Sequence, residues 1–275
     1  MAQRLIAERV SQRSSGRAAG RAFLGVSSLL FAASAALTVA WSRTAPGMHG
    51  MAMSGGAPML WMPMAGQTWP GLAASFDAMW CAMMVAMMLP SLAPMLWRYR
   101  QALGIAGTRH PGGLSALAGL AYFLVWGALG LVAFSLGALF TTAQMRVPAL
   151  AQLAPAATGL VLLAAGALQF SAWKARHLAC CRPAGHRTHG SAPMPRARDA
   201  VRHGLRLGWH CSLCCAGLTA CLLAVGIMDL RAMAIVGLAI TAERLLPGGT
   251  RVAHVVGAVT ICAGVLLIAR AAGLV

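Results

Sequence analysis

Residues 48–53 place Met48, His49, Met51 and Met53 within six positions, and Met59, Met62 and Met64 follow closely. Thioether and imidazole donors select a soft ion such as Cu(I) over calcium or magnesium. The Gly and Pro residues around them give a loop that could fold two or three donors onto one ion. The same residues would also serve as an adaptable apolar surface, a common use of Met. A second set follows in Met79, Cys81, Met83, Met84, Met87 and Met88. Twelve of the 17 Met residues lie between positions 48 and 95. At about 100° per residue, Asp77, Cys81, Met84 and Met88 share one narrow helical face, with Met79, Met83 and Met87 beside it. Such a stripe is also what packing against neighbouring helices produces. The carboxyl of Asp77 within an apolar segment is what turns attention to function.

The third set is His210, Cys211, Cys214 and Cys215, with Cys221 further along and the vicinal pair Cys180 and Cys181 earlier in the chain. Three Cys in five positions exceed what core packing asks for, and thiolates bind Cu(I) or zinc tightly. His210, Cys214 and Cys221 fall on one face, and Cys211 and Cys215 on the next. His177, His186, His189 and His203 are available as auxiliary donors, though loop imidazoles are ordinarily solvated. A Cys-x-x-Cys followed by Cys215 rather than His argues against covalent haem.

The elements that must position these donors are apolar. The chain is 59% hydrophobic and 10% charged, with a mean hydropathy of +0.71. Its apolar residues gather in seven blocks near Ala22–Trp41, Phe76–Trp97, Leu114–Phe140, Ala156–Trp173, Leu207–Ile227, Met228–Ala242 and Val252–Ala269. A helix needs roughly 20 apolar residues to cross a bilayer, so the expected fold is an all-α polytopic membrane protein of about seven helices. The sixth block is short, and six crossings remain if it is re-entrant. The net charge of +17 would suggest nucleic acid on a soluble protein, but here it reports orientation. With the N-terminus in the cytoplasm, 18 of the 22 cations fall inside, Lys174, Arg244 and Arg251 among them, while Arg43, Arg146, Arg231 and Arg270 fall outside. The inner (plasma) membrane is therefore the expected location, with the lipid bilayer as partner and no nucleic acid.

Four regions follow. Residues 1–21 form a basic cytoplasmic arm, and 22–41 the first transmembrane helix, read as an uncleaved signal anchor because no small-x-small cleavage site follows it. Residues 42–74 form an extracytoplasmic Met- and His-rich loop. Residues 75–275 form the helical membrane domain, with a basic cytoplasmic loop at 174–206. Gly127, Gly130 and Gly137 are read as positions of close helix packing.

Several of these residues together resemble the DUF2182 family, predicted metal-binding integral membrane proteins with copper-chaperone-like members. The matching positions are Trp80, Met83, Met84, Ala86, Met87, Met88 and Pro90; Gln169, Lys174, Cys181 and Arg182; Gly204, Gly208, Cys211, Cys214, Cys215, Met228 and Met233; and Glu243 with the following base Arg244. They span roughly residues 75–245. Arg244 stands where the family tends to have Lys. The resemblance implies metal binding without defining what is done with the metal.

The expected metal ligands are Met48, His49, Met51, Met53, Asp77, Cys81, Met84, Met87, Met88, Cys180, Cys181, His210, Cys211, Cys214 and Cys215. The expected ion is copper, as Cu(I), with zinc the second choice. The function these residues suggest is copper handling without enzymatic activity, as a chaperone or insertion factor serving a cuproenzyme or another copper carrier, or as a transporter. The alternatives are a membrane thiol-disulfide oxidoreductase using Cys211 and Cys214, and a structural assembly subunit that binds no metal.

Overall fold

The structure is a computed structural model that describes residues 2–44, 61, 66–181, 196–227 and 229–274. The expected donors Met48, His49, Met51 and Met53, together with Met59, Met62, Met64, His186 and His189, lie outside the described residues. Within them the chain is all-α, in the order α1 (Ala2–Thr44), α2 (Trp69–Ile105), α3 (Pro111–Arg146), α4 (Pro148–Gln152), α5 (Ala154–Leu168), α6 (Ala172–Cys181), α7 (Ala197–Val225), α8 (Leu230–Leu245) and α9 (Gly249–Ala271). Five segments, Ala18–Arg43, α2, α3, α7 and α9, are long and apolar enough to cross a membrane, and α5 with α6 makes a sixth if that bent pair is one span. This composition is consistent with a multi-pass membrane protein.

The helix starts carry the expected local chemistry. Thr68 caps α2 by accepting from the amide of Gly71, with Pro70 in the first turn where its missing N–H costs nothing. The Asp229 carboxylate accepts from the amides of Arg231 and Ala232 at the start of α8. Pro90 and Pro94 lie inside α2, which continues through both. Pro90 has no N–H to offer the carbonyl of Ala86.

Two sequence expectations change. The apolar block Ala156–Trp173 is not one helix: it breaks after Leu168, and α6 leaves at 70° to α5. The supposed loop 174–206 is helical at both ends, since α6 runs to Cys181 and α7 begins at Ala197. The cysteines of α7 therefore lie well inside a helix and not at its mouth.

Small residues set the packing, as expected where lipid removes any hydrophobic drive between helices. A Cβ at Gly166 would come within 2.8 Å of the Gly257 carbonyl oxygen, and one at Gly264 within 2.9 Å of that of Gly159. The two glycine pairs, seven residues apart on each helix, let α5 and α9 cross backbone to backbone in antiparallel sense. Thr158 donates to the Ala224 carbonyl and Gly217 faces Ala165, so α5 is antiparallel to α7 as well. Gly127 and Gly130 of α3 face Cys81, Asp77 and Trp80 of α2. The Trp80 indole donates to the Trp126 carbonyl at 2.9 Å, fixing the same antiparallel pair.

Candidate metal centre

The Met face of α2 points inward. Met84 and Met88 have no exposed surface, and Met83 is almost as fully buried. Met88 Sδ lies 4.0 Å from Cys211 Sγ on α7, joining the Met stripe to the thiol group. Met84 shares the same core. Met87 packs toward Gly237 of α8 instead.

On α7, Cys211, Cys214 and Cys215 are all buried. The Cys215 thiol interacts with those of Cys211 and Cys214, and Cys214 also meets Cys181 of α6. The sulfurs thus form a row: Cys181, Cys214, Cys215, Cys211, Met88. Close approach of α3 and α7 sets one end of it. Gly204 sits against the Ala118 carbonyl and Ala121, and Gly208 against the Tyr122 carbonyl, so the Tyr122 hydroxyl reaches Cys211 Sγ at 2.7 Å.

Charge surrounds the row. The Arg244 guanidinium, at the end of α8 and 2% exposed, donates to Cys211 Sγ at 2.8 Å, Cys215 Sγ at 3.1 Å and Ser91 Oγ at 3.1 Å. Its Nε has no hydrogen-bond partner among the described residues. Among the described residues it has no carboxylate partner, because the neighbouring Glu243 is engaged elsewhere. Lys174 Nζ donates to Glu243 Oε2 at 2.7 Å and to the Cys214 carbonyl at 2.8 Å, and Gln169 Nε2 donates to Glu243 Oε1 at 3.1 Å. Lys174 and Arg244 are therefore interior groups. They are not loop cations: Lys174 is held by its ion pair with Glu243, and Arg244 by hydrogen bonds to Ser91 and two sulfurs, without an opposite charge beside it among the described residues.

The remaining expected ligands separate. Cys180 is exposed while its neighbour Cys181 joins the row. His210 makes its contact with α6, its Nδ1 3.3 Å from His177 Nδ1, one turn before Cys214. Cys221 packs in a separate cluster with Leu162 and Ala165. Asp77 and Cys81 form their own pair at 3.9 Å against α3, and the buried Asp77 Oδ1 has no hydrogen-bond partner among the described residues. Sequence reading missed Tyr122 and Ser91, while Gln169, Lys174, Glu243 and Arg244 entered it as positions of the family resemblance, with no part in the site. Glu243 is one of only five acids in the chain and stands directly after the sixth apolar block, a signal that points to the polar seam.

No three or more His, Cys, Asp or Glu side chains among the described residues close on a single point as a finished ligand cage. The donor chemistry nonetheless fits a soft ion, since thiols and a thioether line up beside a fixed positive charge. The described helices thus form an apolar bundle with a buried sulfur row and an adjoining ionic seam. Residues 77–267 match the family model of PpoB2, described as a copper chaperone, and the chain belongs to that family. Membership associates it with copper, and the matched region contains the whole sulfur row. No curated protein and no solved structure matches the chain.

Proposed function

We propose that this chain is embedded in the inner membrane, binds copper as Cu(I) on the sulfur row and delivers it to a cuproenzyme or another copper carrier, without catalysing a reaction of its own. The observation that carries this reading is the Arg244 guanidinium held against Cys211 and Cys215. A monovalent ion on two thiolates has a net charge of −1, which one buried guanidinium neutralises. A divalent ion on the same two thiolates is neutral and leaves the guanidinium uncompensated in a low-dielectric interior. Charge balance thus favours Cu(I) over zinc, and Met88 supplies a neutral thioether that Cu(I) accepts.

Seven crossings with a cytoplasmic N-terminus suit this geometry. Helices α7 and α9 are both antiparallel to α5, so they run the same way, and α8 returns the chain from the far end of α7 to the start of α9. Removing Lys174 and Arg244 from the charge tally leaves 16 of 20 cations on the cytoplasmic side, as 18 − 2 against 22 − 2. The orientation keeps its support.

Elemental analysis of the detergent-purified protein tests the reading. Copper should be present in the native chain and lost when Cys211 and Cys215 are both changed to Ser. Unchanged copper content would overturn it. Total cellular copper in a transport-deficient host separates delivery from import, since only import raises it.

A further inference from the structure

Helices α6 and α7 carry the same spacing of donors: His177 with Cys181, and His210 with Cys214. Four residues place each Cys one turn from its His on the same face. The two helices pack rung against rung. His177 Nδ1 lies 3.3 Å from His210 Nδ1, and the Cys181 thiol meets that of Cys214. Exposure grades along the ladder, for the two imidazoles are half-buried and the two thiols are 1% and 2% exposed. The Trp173 ring stands edge-on to His177 at 4.7 Å and walls one side of the upper rung.

Two facing ring nitrogens can share one proton, and 3.3 Å suits that. The same separation is also about what two nitrogens have when each sits about 2.0–2.1 Å from one tetrahedral ion. We infer that His177 and His210 form a solvent-side station for a soft monovalent ion, which then passes one helical turn inward to Cys181 and Cys214. The inference rests on the proposed function, because the station is useful only if the sulfur row takes the ion. The transfer is a ligand exchange with no change of oxidation state. Two neutral imidazoles release the ion, two thiols ligate it as thiolates, and of the two thiol protons one is shared between the vacated imidazoles and the other leaves to solvent. With the released proton counted, the total charge is +1 before and after.

The test uses the full chain in detergent, with Cu(I) supplied as its bicinchoninate complex and transfer followed by loss of the chelate colour. Changing both His177→Asn and His210→Asn keeps a polar contact between the helices but removes the imidazole donors. Loading should slow at least about tenfold while the final copper content equals that of the native chain, since the thiols remain. Loading at the native rate would overturn the station and leave the sulfur row standing. A native chain that takes up no copper would overturn both.

A second measurement needs no variant. In the native protein, Ag(I) in excess over the thiols should protect His177 and His210 from diethyl pyrocarbonate, read by mass spectrometry, with exposed His254 as the internal reference. Equal modification of all three with and without Ag(I) would also overturn the station.

Discussion

Replacing Arg244 with Met removes a buried cation while keeping most of its volume, and the structure separates two consequences. The guanidinium nitrogen lies 2.8 and 3.1 Å from the Cys211 and Cys215 sulfurs, with the charge spread over the whole group. Taking an effective charge separation of about 4 Å and an effective dielectric of about 20, the attraction between the guanidinium and a copper-dithiolate of net charge −1 is about 4 kcal/mol. Losing it should weaken Cu(I) binding about a thousandfold. The metal-free protein should respond in the opposite sense. Its thiols carry no compensating charge when protonated, so removing the buried cation relieves desolvation and leaves the melting temperature unchanged or higher. Arg244→Lys keeps the charge but not the fork that reaches Ser91 and both sulfurs together, and should fall between the two. Competition against a Cu(I) chelator gives the affinity, and a thermal melt in the same detergent gives the stability. If Arg244→Met binds Cu(I) within about threefold of the native chain, the charge argument for a monovalent ion fails.

Three further outcomes follow from neighbouring contacts. Glu243→Gln strands the buried Lys174 cation and should destabilise the protein by about 3–5 kcal/mol in denaturation measurements, with most of the loss recovered when Lys174→Met is added. Gly204→Ala drives a methyl into the Ala118 carbonyl where α3 meets α7 and should cost about 1–3 kcal/mol, with copper content falling as Cys211 shifts from Tyr122. Maleimide should label exposed Cys180 quickly and Cys181, Cys211, Cys214 and Cys215 slowly, as read by mass spectrometry. Cys180→Ser should accordingly retain native copper content and Cys181→Ser should lose part of it.

The helical character of the bundle was legible because long apolar runs have few alternatives in a membrane. The inward face of α2 was legible too. A period of 3.6 residues groups Met84 with Met88, and Met88 does reach Cys211. What sequence could not convey is how residues one or two positions apart divide between surroundings. Cys180 and Cys181 differ by one step, which rotates a helical side chain by about 100°, and one faces out while the other meets Cys214. The period that puts His210 and Cys214 on one face holds, but that this face meets α6, His210 against His177 and Cys214 against Cys181, is visible only in the packed helices. Lys174 and Arg244 were assigned to loops because a charge at the end of an apolar run ordinarily lies there. Their partners, Glu243 and the thiols of α7, are 69, 33 and 29 residues away in the chain and become visible only once the helices pack.

The break between α5 and α6 ties these observations together. A bend in an apolar helix exposes carbonyls that lipid cannot satisfy, so it persists only where the protein meets them. Here the amides of Gln169, Phe170 and Ser171 turn back onto the carbonyls of Gly166, Ala167 and Leu168 in a tight turn. The Ser171 hydroxyl donates to the Leu168 carbonyl and accepts from the Lys174 amide that opens α6. The side chain of Gln169, at the corner itself, donates to Glu243. With the corner formed, Lys174, His177, Leu178 and Cys181 fall on the face of α6 that meets α7 and α8. A straight continuation of α5 would carry Lys174 along the α5 axis and away from Glu243. The ion pair that holds the corner and the corner that permits the ion pair are therefore one unit. The same turn that buries a Lys in an apolar bundle also brings Cys181 to the end of the sulfur row.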